Sequence, residues 1–483
     1  MKAVAVSQTT ESKMRLGALT RCLNSLPPFW VAFVLTLTET VGAGTLALPI
    51  AFAAVGPIVG VFLLVVLGSI NLLTICYLAE ASARNSSIRS GSAFIGKLVE
   101  DYLGTYASMV LRIALFLFCC IILASYYTGF ASTLSVVTGW PEAVWVAVVC
   151  FAGLILILRK TLTGALAGAL ITGAINIAIL LLLSAVALRH ASLENFLHMK
   201  IPMVDGHSFD PSHIKLVFGI VLVSYFGHLS VSNCAQTVLR CDPSGRSLKR
   251  GAAAAMVVAI VIYSIWSVSI ISAVGSENLL GETGTALVPL AKQIGPGVYV
   301  LGVVFAILGL GMSSVHFGLG IVNLSRELIG QIRLAGKPSW LRSKASTLAA
   351  IFPILIVFGY VQWTYYIGAP SFTAPLELIG ALLTPVLAGI FPVLLLIASR
   401  KKTGETTDAT AGAVASHPLI LAAIVLLSFS GLLLHRFVLW ENSFLQACAD
   451  FIITTMMLLF LDQTRRGLFV SSATVIVEAK QWR

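Results

Sequence analysis

The chain has 483 residues, of which 58% are hydrophobic and only 11% charged, with 31 Lys and Arg against 20 Asp and Glu for a net charge of +11. A soluble chain carries about 25% charged residues, and no soluble shape covers this much apolar surface with so little charge. Together with a mean hydropathy of +0.96, this excludes a cytoplasmic enzyme, a disulfide-stapled secreted domain and a disordered scaffold, and it makes lipid the solvent.

Residues 1–28 are polar and basic and read as a cytoplasmic N-tail, because the apolar stretch beyond them is too long for the core of a signal peptide. A span needs about 20 apolar residues to cross roughly 30 Å of hydrocarbon. Twelve segments meet that need: 29–55, 57–80, 107–138, 142–158, 164–188, 214–238, 251–274, 298–324, 346–362, 372–398, 417–435 and 444–462, here spans 1 to 12. Residues 81–106 are too polar to cross and read as an interfacial segment, and the short apolar stretch within 275–297 is expected to fold over the outer side. The stretch 399–416 reads as a cytoplasmic linker between a ten-span core (29–398) and two additional C-terminal spans (417–462), and 463–483 as a cytoplasmic C-tail.

If span 1 runs outward, the basic residues collect on one side and leave only Arg189, Lys200, Lys215, Lys292 and Arg436 on the other. This positive-inside pattern places both termini in the cytoplasm and predicts a multi-pass protein of the plasma (inner) membrane. The basic loops can meet anionic lipid, and nothing about them calls for nucleic acid. The eight cysteines lie mostly in apolar runs without metal-ligand spacing, so no metal site is expected.

Span 1 carries VGAGTLALP at 41–49, with two glycines where a good helix avoids them. Span 6, five spans later, is interrupted in the same way by SYFGHLSVSNC at 224–234. Paired interruptions in the first span of each five-span half point to an inverted-repeat transporter and its site, with 29–188 as the first repeat and 214–398 as the second. The predicted class is therefore all-α, polytopic, with broken spans 1 and 6. Unwound backbone inside a membrane persists only where a substrate, an ion or water satisfies it. Half-helix N-termini suit a carboxylate and freed carbonyls an ammonium, so a zwitterionic amino acid fits both. The candidate substrate residues are Val41, Gly42, Ala43, Gly44, Thr45, Ser224, Tyr225, Phe226 and Gly227.

Glu39 lies about 15 Å into span 1 at 1.5 Å per residue, where an acid costs on the order of 3 kcal/mol and is functional by default. Glu39 and His228, both protonatable at mid-depth, are candidates for ion coupling, as are the hydroxyls of Ser313 and Ser314 if the ion is Na⁺. Glu377 is a candidate gate residue, Tyr126, Tyr127 and Phe226 a candidate apolar wall, and Asn71, Asn176 and Thr384 read as interhelical hydrogen-bonding groups. No phosphate loop, zinc cluster or nucleophile elbow is present, so no cofactor is expected and transport is downhill or ion-coupled.

ETVGAGTLALPIAFAAVG in span 1 resembles the signature of the amino acid/auxin permease family, close to its aromatic amino acid permease branch, in the amino acid-polyamine-organocation superfamily. SYFGHLSV followed by LRCDPSGRSLKRG resembles the family's sixth span and the charged loop after it, with Ser224 and His228 at recurring positions. The resemblance implies a leucine-transporter-like, five-plus-five inverted-repeat fold and secondary transport of amino acids. Thr38 stands where sodium-coupled members tend to carry Asn. The expected function is proton-coupled symport of neutral amino acids, aromatic or branched ones among them. Na⁺-coupled symport and a non-transporting amino acid sensor are the alternatives.

Overall fold

The structure is a computed structural model, and it describes residues 26–89, 95–158, 165–198, 212–331, 339–403 and 417–469. The N-tail, most of the 399–416 linker, the far C-tail and part of the 189–213 loop lie outside the described residues.

Every regular element among the described residues is a helix, as it must be where lipid offers the backbone no partner. Among the described residues nine helices are long and apolar enough to cross a membrane, and two bent pairs raise the number to eleven. The shorter apolar helix Glu142–Leu158 falls on span 4. The bent pairs are span 1, turning 45° between Pro28–Thr40 and Gly44–Phe52, and span 10, turning 42° between Thr373–Leu382 and Pro385–Lys402. The bend in span 10 has a cause in the sequence: Pro385 lacks the N–H that would continue the ladder, and the chain takes a π turn over Pro385–Ile390. Large apolar side chains such as Phe62, Val300, Leu426 and Phe451 stand on the outside, where the acyl chains would be.

Small residues let the spans approach closely, since between helices in lipid packing replaces the hydrophobic effect. Gly251 of span 7 (Arg246–Val274) lies against Phe29 and Ala32 of span 1, and Gly173 of span 5 against Thr38. The tightest crossing joins the first half of span 6 to span 10: a Cβ on Gly380 would sit 1.7 Å from the carbonyl oxygen of Gly219. Backbone cannot swing aside as a side chain can, so Gly380→Ala is expected to destabilise the protein by about 3 kcal/mol, the upper end for overpacking. A thermal-shift scan checks this as a lowered apparent Tm.

At the end that carries the basic loops, Glu80 of span 2 (Pro57–Arg84) binds Arg84 at 3.0 Å, Lys249 of span 7 at 3.2 Å and Arg400 of span 10 at 2.8 Å. The interfacial segment forms an amphipathic helix, Ile95–Leu103, that buries Leu98, Val99 and Leu103 and receives Gln463 of span 12 on the Leu103 carbonyl at 2.9 Å. The turn between spans 6 and 7 is held by Asp242, whose carboxylate accepts from the Ser244 hydroxyl and from the Ser247 N–H at 2.7 Å. Those bonds, the Ser244 hydroxyl first, hold its pKa down to about 2. At the opposite end the helix Leu287–Ile294 folds inward: Ala286 N–H donates to Leu46 of span 1 at 3.2 Å, and Phe372 N–H, at the start of span 10, donates to Thr283 at 2.8 Å.

Candidate substrate site

The two interruptions meet face to face. Span 1 runs as Pro28–Thr40, leaves the helix at Val41 and Gly42, and resumes as a 3-10 turn over Ala43–Ala47 and a short helix over Leu48–Phe52. Span 6 runs as Ser212–Ser224, opens at Tyr225–Gly227 and resumes as His228–Cys241. The glycines serve close approach rather than unusual dihedrals, since Gly42 has φ −115° and Gly227 φ −98°. A Cβ on Gly44 would sit 2.9 Å from the Ser224 hydroxyl oxygen, and one on Gly227 would sit 2.0 Å from the Thr40 hydroxyl oxygen. Each break thus rests on the last residue of the other span's first half.

The freed carbonyls have a donor the sequence reading did not name. The Tyr263 hydroxyl of span 7 lies 2.6 Å from the Thr40 carbonyl oxygen and 2.8 Å from that of Ser224. Trp266, one turn on, donates its indole N–H to the Thr45 carbonyl at 2.8 Å. Both rings are fully buried. Tyr263 has one hydroxyl hydrogen for two acceptors, and the Thr40 carbonyl also accepts the Gly42 N–H at 2.8 Å, so it is the Ser224 carbonyl that is short of a donor whenever the hydroxyl turns to Thr40. The N–H groups opening the second halves, Ala43 and Gly44 in span 1 and His228 and Leu229 in span 6, have no carbonyl in their own half-helix to bond. The site therefore offers donors and an under-supplied acceptor in one place. Tyr263→Phe is expected to raise the half-saturating substrate concentration several-fold and to lower stability by about 1–3 kcal/mol for the unpaired buried carbonyl of Ser224; concentration-dependent uptake and a thermal-shift scan check the two effects.

The remaining candidates divide. Tyr126 of span 3 stands at the break, its hydroxyl 3.9 Å from a Cβ position on Gly42. It forms an aromatic wall with Phe118, Phe226 and Phe317, of which the sequence reading missed Phe118 and Phe317. Ring centroids are 5.4 Å apart for Tyr126–Phe317 and 4.4 Å for Phe118–Phe226. Tyr225 is different: its hydroxyl donates to Leu64 of span 2 at 3.2 Å, so only its backbone lies at the break. Tyr127 turns to Cys150 of span 4. The hydroxyl of Ser224 donates to Ile220 of its own helix at 2.7 Å, leaving its carbonyl as the group at the break.

Glu39 is exposed and accepts from the Asn233 side chain at 3.2 and 3.5 Å, which pairs the acid of span 1 with the second half of span 6. His228 is buried at 1% exposure, with Nε2 2.9 Å from the Thr74 hydroxyl of span 2. Its Nδ1 has no partner among the described residues. The Ser314 hydroxyl donates to Gly311 in its own helix at 2.7 Å, and among the described residues neither it nor Ser313 bonds to the break. Glu377 lies elsewhere, paired with Lys215 at 3.4 Å. Asn71 and Thr384 correct the interhelical reading, because both donate within their own helices, to Leu67 and Ile379. A short polar side chain in a helix reaches the carbonyl a turn back more readily than a neighbouring span.

Crystal structures of an Eremococcus coleocola manganese transporter share this architecture. A histidine-to-alanine mutant of it aligns with a TM-score of 0.59 at 14% identity, over 91% of this chain and 95% of that one. The same transporter in complex with an aromatic bis-isothiourea substituted compound aligns with a TM-score of 0.59 at 13% identity, over 92% and 96%. At such identity the likeness shows the fold alone, and it is the leucine-transporter-like fold that the family resemblance implies. No curated protein matches the sequence. The profile of the family described as transmembrane amino acid transporter protein matches residues 28–435. With its helices long and apolar enough to span a bilayer several times over, this multi-pass membrane chain belongs to that family of amino acid transporters.

Proposed function

We propose that the protein is a secondary active symporter of neutral amino acids, aromatic or branched ones included, driven by protons and working by alternating access in the plasma membrane with both termini in the cytoplasm. The observation that carries this reading is the pair of facing breaks, with N–H groups on one side and two carbonyls sharing one tyrosine hydroxyl on the other. A substrate carboxylate meets the N–H groups of Ala43 and Gly44, since those of Gly42 and Thr45 are bonded within the break. Its ammonium supplies the donor that the Ser224 carbonyl lacks when Tyr263 bonds Thr40. The wall of Tyr126, Phe118, Phe226 and Phe317 favours an apolar or aromatic side chain.

The two sides of the break differ as alternating access requires. Toward the Leu287–Ile294 helix, Thr45, Leu46, Thr285 and Phe372 are fully buried, while toward the basic loops Glu39 and Asn233 are exposed. On this reading Glu39 exchanges the coupling proton with the side of the basic loops, while His228, next to Gly227 and buried, does not. Sodium coupling finds less support, since Thr38 stands where sodium-coupled members tend to carry Asn. In proteoliposomes, an imposed inward pH gradient is expected to drive amino acid uptake with choline replacing Na⁺. Uptake that follows a Na⁺ gradient and ignores the pH gradient would overturn proton coupling.

A further inference from the structure

On the face of span 3 turned away from the breaks lies a cavity of about 550 Å³, bounded by spans 3, 6, 9 and 10, by Trp440 between spans 11 and 12, and by Leu445 of span 12. It is an elongated trough. Along span 3 it runs from Cys120 to Thr128, and along span 9 (Ser339–Tyr366) from Ile356 to Thr364, which is about 12 Å on each helix at 1.5 Å per residue.

Its two ends differ in chemistry. The end nearer the middle of the bundle is walled by Ile121, Ile356 and Val357. The other end, opposite the basic loops, holds the Lys215–Glu377 ion pair together with Ser371, Thr364 and Trp440. Ile356 and Tyr360 on the open wall are 56% and 51% exposed, so the trough opens sideways toward the acyl chains and not only along the bundle axis. An apolar trough of this shape in a bilayer takes a hydrocarbon chain. The polar end then decides which headgroup accompanies it. A cation and a carboxylate 3.4 Å apart match a headgroup that carries phosphate and a hydrogen-bonding ammonium side by side.

We infer that this trough binds a phospholipid with a zwitterionic, primary-amine headgroup, its acyl chain lying along spans 3 and 9, its phosphate at Lys215 and its ammonium at Glu377. Trp440 packs at the headgroup level, where tryptophan is favoured. Because the trough shares span 3 with the aromatic wall of the substrate site, a lipid seated there braces the back of the helix that presents Tyr126.

The test is native mass spectrometry of the full-length protein, delipidated in mild detergent and titrated with dioleoyl phosphatidylethanolamine, phosphatidylcholine or phosphatidylglycerol. One phosphatidylethanolamine is expected to bind about tenfold more tightly than either other lipid, the worth of one charge-assisted hydrogen bond. Phosphatidylcholine has no N–H to donate to Glu377, and phosphatidylglycerol has no cation. Ala124→Phe, which fills the trough midway, is expected to weaken phosphatidylethanolamine binding about tenfold. Glu377→Gln is expected to bring phosphatidylethanolamine and phosphatidylglycerol to similar affinity. If Ala124→Phe fails to fold, Ile356→Trp narrows the trough from its exposed wall. Equal affinity for all three lipids, unchanged binding in the filled variants, or displacement by free phosphoethanolamine as effective as by whole lipid would each overturn the assignment.

Discussion

Gly227→Ala is expected to abolish amino acid counterflow. The added Cβ would stand 2.0 Å from the Thr40 hydroxyl oxygen, and that hydroxyl is already committed to the Thr36 carbonyl at 2.7 Å. Rotating it away costs a buried hydrogen bond of about 1 kcal/mol. Holding the two breaks apart costs more in function, because Tyr263 can then no longer reach both carbonyls. Substrate positioning is sensitive at this scale, since a displacement of about 1 Å loses on the order of a hundredfold in rate. The prediction has an internal control. Thr40→Ala in the same chain removes the obstructing oxygen and leaves the nearest side-chain atom, Cβ, 3.2 Å from the new methyl. The double variant is therefore expected to recover part of the counterflow that Gly227→Ala lost. Equal inactivity in the single and double variants, with both eluting as folded protein, would show that Gly227 matters for some reason other than this contact.

Glu39→Gln separates binding from coupling. The amide keeps the shape of the side chain and can still pair with Asn233, which lies 3.2 Å away, but it cannot carry a proton. Uptake driven by a pH gradient is expected to fall by at least about tenfold, a difference of 1.4 kcal/mol. Counterflow, which needs no gradient, is expected to persist. Proton-driven accumulation that survives the substitution would move the coupling role to His228 or elsewhere. His228 is the harder residue to test alone. Its Nε2 ties span 6 to Thr74 of span 2, and replacing it also cuts a buried hydrogen bond between spans.

The location of the two breaks was legible in the sequence because two glycines inside an apolar run contradict a helix, and the contradiction recurs five spans later. Backbone requirements leave that kind of trace. Side-chain direction does not. Tyr263 and Trp266 sit in the uncharged run of span 7, interrupted only by serines, where nothing in the local pattern separates a lipid-facing ring from one capping a carbonyl. Phe118 and Phe317 were hidden in the same way, and Tyr225, beside the break in the sequence, faces span 2 through its hydroxyl. Glu80 is a lone acid near the end of an apolar span, and its sequence neighbours give no sign of its partners on spans 7 and 10. Only the packing of spans 2, 7 and 10 brings Lys249 and Arg400 to it.

The claim that the facing breaks bind and carry an amino acid is tested most directly by counterflow. Purified protein in liposomes preloaded with unlabelled neutral amino acids, with no ion gradient imposed, is offered each labelled amino acid in turn, with manganese in a parallel arm. The account predicts saturable accumulation of apolar and aromatic amino acids, none of manganese, and loss of the signal in Gly227→Ala. Silence across the amino acid panel from folded protein, or accumulation of manganese alone, would contradict it.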